Sequence, residues 1–152
     1  MFIKNYGLFW RLDEVKWKPG RGADFQLLGL CGKNRRADFR RQTGIYILYG
    51  NHGPCYVGLT RGKKMGIGRR LREHLYDKHG GKWDRFSWFG FQEVEKSDGL
   101  CKLKAKLKKI TGNTDSFIKD IEALLICAMG LDNINQMNFS KAEQWKQEKK
   151  KR

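Results

Sequence analysis

Apolar positions recur along this chain with two different periods, and the change of period marks its elements. From Gly44 to Gly58 the sequence reads GIYILYGNHGPCYVG, two apolar runs around a break of Gly, Asn, His, Gly and Pro, which is a β-hairpin pattern. Alternation puts Tyr46 and Leu48 on one face and Ile45, Ile47 and Tyr49 on the other. A loop closing symmetrically near Asn51 sets Tyr46 directly opposite Tyr56, whereas a slip of one residue would put the rings on opposite faces. An ordinary cross-strand aromatic pair has the same appearance. In IGRRLREHLYDKH the period lengthens: Ile67, Leu71 and Leu75 recur at every fourth position and predict a helix. Arg70 and His74, also four apart, share its neighbouring face. KWDRFSWFGFQEV (Lys82 to Val94) reads as an aromatic strand, with Trp83, Phe86, Trp88 and Phe89 in the core.

Two further helices are expected. In SDGLCKLKAKLKKI (Ser97 to Ile110), Leu100, Leu103, Leu107 and Ile110 face inward and lysines cover the rest. Such a face is either simply solvated or in contact with phosphate. Thr114 or Asp115 then caps the helix DSFIKDIEALLICAMG, which ends at Gly130. Its apolar surface of Ile118, Ile121, Leu124, Leu125 and Ala128 encloses Glu122. A carboxylate there is costly unless it is paired, snorkels to water or holds a cation.

Residues 1–41 read as an N-terminal extension whose strands, LFWRL (Leu8 to Leu12) and FQLLGL (Phe25 to Leu30), pack on the core. Residues 42–138 form the main domain and residues 139–152 a basic, frayed C-terminal tail. The fold expected is α/β of the α+β type: a small, mostly antiparallel three-stranded sheet flanked by helices, with the N-terminal extension added.

Charge narrows the partner. Lys and Arg number 32 against 16 Asp and Glu, a net +16 over 152 residues, which points to a polyanion. ALLICAMG, the longest apolar stretch, falls far short of the ~20 residues of a membrane span. The four cysteines show no C-x-x-C spacing and read as unpaired thiols in a reducing cytoplasm. A zinc site from Cys31, His52 and Cys55 has irregular spacing and is set aside.

Taken together, these residues resemble the GIY-YIG nucleases. Gly44-Ile45-Tyr46 matches the first half of that signature and Tyr56-Val57-Gly58 the second, with Val in place of the usual Ile. The resemblance extends from about Thr43 to Asn138 and implies site residues along it. Arg70 and His74 fit the helix arginine and its companion four residues on; Glu122 fits the metal-binding glutamate. Gly58 and Asn135, with Asn138 as the alternative, fit supporting positions. The function implied is endonucleolytic hydrolysis of DNA phosphodiesters, with one Mg²⁺ or Mn²⁺ on Glu122. Tyr56 would activate or align the attacking water, Tyr46 orient it, Arg70 grip the phosphate and His74 relay a proton. Lys63, Lys64, Arg69, Arg72, Lys102, Lys106 and Lys109 are the candidate DNA contacts. Sequence specificity would have to come from the N-terminal segment or from homodimerisation. The alternative is a non-catalytic nucleic-acid-binding module on the same scaffold.

Overall fold

In chain order the strands of the computed structural model are β1 (Asn5–Arg11), β2 (Leu28–Cys31), β3 (Arg35–Asp38), β4 (Gly44–Gly50), β5 (Gly53–Thr60), β6 (Arg85–Gly90), β7 (Gly99–Cys101), β8 (Glu143–Gln144) and β9 (Lys146–Gln147). The helices are α1 (Ile67–Tyr76) and α2 (Thr114–Ala128). The residues described are 3–17, 25–60, 66–97, 99–105, 114–129 and 142–151; in α2 the side chains are described from Asp120 onward, Glu122 excepted.

The strands form two sheets, ordered β5-β4-β6-β1-β8 and β7-β3-β2-β9. This corrects the expected α/β fold with a single three-stranded sheet flanked by helices: among the described residues strands dominate and helices are few. The cause lies in β6. Phe86, Ser87, Trp88, Phe89 and Gly90 are all buried, so this strand has no solvent face and both of its edges need a partner. β4 pairs antiparallel along one edge, with Leu48 opposite Phe86, and β1 along the other, with Trp10 opposite Phe86. The N-terminal segment therefore lies inside the first sheet.

The hairpin forms where alternation places it, but its register differs from the symmetric closure. Gly50 pairs with Gly53 around Asn51 and His52, and Gly53 has φ +101°, a turn conformation that favours glycine. A bulge at Cys55 follows. Beyond it Leu48 faces Tyr56 and Tyr46 faces Gly58. Because the shift is two residues, the two tyrosines stay on one face, diagonal to each other, with ring centroids 6.1 Å apart.

Each face of the first sheet covers a separate core. On one, Tyr46, Leu48, Phe86 and Trp88 meet α1 through Ile67 and Leu71 and the second sheet through Ala37 and its neighbour Phe39. On the other, Ile47, Tyr49 and Phe89 meet α2 through Ala123, Leu124, Cys127 and Ala128. Trp83, Phe86, Trp88 and Phe89 are buried core residues, as read from the sequence.

The helix expected over 97–110 is corrected. Gly99–Cys101 is a strand parallel to β3, and Val94 and Leu103 form an antiparallel bridge. The Glu95 N–H donates to the Lys102 carbonyl (2.8 Å) and the Lys104 N–H to the Glu93 carbonyl (2.7 Å). In KLKAKLK the lysines also alternate with apolar residues at period two, so the string suits a strand as well as a helix. Gly99, at φ +82°, sits outside helical backbone space. Residues 106–110 lie outside those described.

The tail is not frayed. Between β8 and β9 stands Trp145, 1% exposed, packed on Phe39 in the first core. Its indole N–H donates to Asn5 Oδ1 (2.9 Å), and its carbonyl accepts from the Trp10 indole (3.2 Å). One buried ring thus joins the end of the chain to both sheets. Among the described residues no helix is long and apolar enough to cross a membrane.

Candidate functional site

The hairpin and α1 bring Tyr46, Tyr56, Arg70 and His74 to one place, as the sequence expects. On α1, Ile67 and Leu71 are fully buried, and this anchoring turns the adjacent face, with Arg70 and His74, toward the hairpin. Gly58 lets the tyrosines meet. It faces Tyr46 across the strands, and a Cβ there would collide with the Tyr46 ring and hydroxyl. Gly58→Ala is therefore expected to destabilise the fold by about 1–3 kcal/mol, the usual cost of overpacking. Chemical denaturation measures this, and an unchanged midpoint would show that the ring moves aside freely.

Tyr46 is completely buried, and its Oη lies 2.8 Å from His74 Nε2. On the far side of the imidazole, Nδ1 lies 2.8 Å from Asp77 Oδ2. A carboxylate can only accept, so Nδ1 carries a proton, and in the neutral ring Nε2 accepts from the Tyr46 hydroxyl. Desolvation acts to raise the Asp77 carboxyl, but the hydrogen bonds it accepts from the His79 N–H and from His74 outweigh it and hold the carboxyl below its ordinary value. The chain Tyr46–His74–Asp77 thus fixes one tautomer.

Burial pushes the Tyr46 phenol from its ordinary 10.0 up to about 12; Arg70 pulls it down, and Tyr56 adds to the rise. The unfolded phenol ionises first. The stability held by the neutral phenol is complete below pH 10 and is lost as pH rises toward about 12. Over that interval the denaturation midpoint is expected to fall less steeply in Tyr46→Phe than in the parent. Equal slopes would show that the phenol is not shielded.

Tyr56 is half-buried. Its ring packs on His74 and His79, with centroids 4.7 Å and 4.6 Å away. It is the phenol a ligand can reach, whereas Tyr46 is sealed. Arg70 is partly exposed and donates to Glu73 Oε2 at 2.7 Å. Its interaction with Tyr46 does most to raise its guanidinium above the ordinary value; burial opposes this and Glu73 adds to it.

α2, which carries Glu122, is placed by Ala123, Leu124, Cys127 and Ala128 on the opposite face of the first sheet, against Ile47, Tyr49 and Phe89. The Tyr49 hydroxyl also donates to the Ala128 carbonyl, 2.8 Å away. None of these contacts brings α2 to Tyr46, Tyr56, Arg70 or His74. The Glu122 side chain, Lys63, Lys64, Lys106, Lys109, Asn135 and Asn138 lie outside what is described. Arg69 is exposed on α1, 3.6 Å from Glu73, and Arg72 is half-buried there. Lys102 is exposed just after β7, on the second sheet.

The structure adds two residues to the site. Asp77 ends α1, and its Oδ1 accepts the His79 N–H at 2.8 Å, which folds the following turn back toward Tyr56. Neither of them is assigned a role by the sequence analysis. The spacing His74-x-x-Asp77-x-His79 across a helix end is the signal that marks the group. Comparison with known protein families, with curated proteins and with solved structures gives no match to this chain.

Proposed function

We propose that this chain is a nuclease that hydrolyses phosphodiester bonds in DNA, working through Tyr56, Arg70 and His74. The observation that carries the reading is the convergence of a reachable phenol, a partly exposed guanidinium and a tautomer-locked imidazole in a chain of net charge +16. A phosphodiester is anionic, and its cleavage needs an aligned nucleophile and neutralised oxygens. Arg70 exchanges Glu73 for the non-bridging oxygens, which it can grip in a fork. Tyr56 aligns the attacking water. Tyr46 and Asp77 hold the His74 ring from its two nitrogens and keep the wall behind Tyr56 in one orientation. No step runs through a cation on Glu122.

A second reading rests on the net charge of +16 alone: a nucleic-acid-binding module on the same scaffold, without cleavage. Labelled duplex, branched and single-stranded DNA, and RNA, incubated with Mg²⁺, Mn²⁺ or EDTA, separate the two. Cleavage lost in Arg70→Ala supports the nuclease. Binding without cleavage under every condition supports the module.

Both readings predict salt-sensitive binding. If the protein neutralises Z phosphates of a duplex, log K falls against log salt with a slope near about −0.9Z. A fluorescence titration across salt concentrations checks this, and a flat response would remove the polyanion from both readings.

A further inference from the structure

We propose that His74, Asp77 and His79 form a binding site for a divalent cation of the zinc class, built on the C-terminal end of α1. One ligand atom from each residue lies within 4.8 Å of the other two. Bonds of ~2.0–2.2 Å in tetrahedral geometry put neighbouring ligand atoms roughly 3.3 Å apart. His74 Nδ1 and Asp77 Oδ2, at 2.8 Å, need only open slightly, and His79 must close in by a modest rotation in its turn.

The surroundings suit a metal. Asp77 Oδ1 is occupied by the His79 N–H, so Oδ2 is the oxygen turned to the cluster. The Trp83 indole N–H donates to the His74 carbonyl at 3.1 Å and steadies the helix end. His74 Nε2 faces Tyr46 Oη inside the core, where metal-bound imidazoles keep an outer hydrogen-bond partner. The Tyr56 ring closes one side.

When the cation binds, it takes the place of the Nδ1 proton. The ring stays neutral, its proton moves to Nε2, and the Tyr46 oxygen turns from donor to acceptor. Two imidazoles and one carboxylate favour zinc, cobalt, nickel or copper over magnesium, which prefers oxygen ligands. Three protein ligands leave a fourth position open beside Tyr56, the pattern of a reactive site rather than a closed structural one. The inference does not depend on DNA cleavage, because binding is read on the protein alone.

The test is titration of the full chain with Co²⁺ alone, followed by its visible absorption. A saturable band at one ion per chain is expected, bleached by Zn²⁺ and not by Mg²⁺. His79→Ala and Asp77→Asn should each weaken binding beyond the ~10–100-fold that loss of an outer partner costs, and Tyr46→Phe should fall within that range. His52→Ala should leave it unchanged. The protein has three histidines, so imidazole NMR signals of the unmodified chain read the same point without any variant. Two rings should respond to Zn²⁺, and His52 should not. Absence of a saturable band, full affinity in His79→Ala or Asp77→Asn with native circular dichroism, or a response at His52 alone would overturn the proposal.

Discussion

Tyr56→Phe is expected to slow single-turnover DNA cleavage by about 10²-fold or more while leaving the circular dichroism spectrum unchanged, because acid–base or aligning help from one group is worth ~10²–10⁴-fold. The substitution removes one hydroxyl from a half-buried ring and keeps the contacts of that ring with His74 and His79. Tyr46→Phe should cost less in rate. Its hydroxyl is sealed behind Gly58 and acts on His74, not on the substrate. A simple packing pair predicts the reverse: both phenylalanine variants would remain fully active. Full activity of a natively folded Tyr56→Phe would leave the hairpin as a structural element and favour the binding module.

The second large effect concerns stability. Trp145→Ala should destabilise the protein by about 3–5 kcal/mol, the range for emptying a large buried aromatic site. The ring is 1% exposed, packs on Phe39 and donates to Asn5 Oδ1, which would be left without this partner. The substituted residue lies in a lysine-rich stretch, so the result separates two pictures. A frayed tail predicts no change in the denaturation midpoint. A tail that ties β1 to β2 predicts a large drop, accompanied by loss of the β8 and β9 pairings.

Much of the candidate site was legible in the sequence because its parts are local. Alternation of period two placed Tyr46 and Tyr56 on one face, and a register error of two residues did no harm because it preserves the face. The four-residue spacing of Arg70 and His74, beside the stripe of Ile67 and Leu71, placed both on the face turned to the hairpin. Asp77 and His79 were missed because they belong to no periodic element. They act through a turn held by the Asp77 carboxylate, and their nearness to Tyr56 depends on where α1 ends.

The larger architecture was less legible. KLKAKLK (Lys102 to Lys108) satisfies two periods at once, and the GLC just before it, Gly99–Cys101, is drawn into a strand by pairing along an edge of β3. The second sheet draws strands from residues 28–31, 35–38, 99–101 and 146–147, a set that no local pattern announces. Likewise, nothing within the last basic residues shows that the Trp145 ring packs on Phe39 while its carbonyl accepts from the Trp10 indole; that place exists only after the sheets have formed.

By itself, then, the sequence determined what short-range physics controls: the hairpin, the first and last helices, the aromatic core strand, and a net charge of +16. Tertiary structure alone decided that β6 takes β1 as its second partner, that the tail closes the first core, and that α2 covers the face away from Tyr46. The reason is that side-chain period is a property of neighbours along the chain. The choice of edge or face is made by burial summed over segments far apart in sequence. The last helix shows the difference: spacing predicted a helix there with Ile121 and Leu125 on its apolar surface, but both are exposed, and Ala123, Leu124, Cys127 and Ala128 are the residues that meet the sheet.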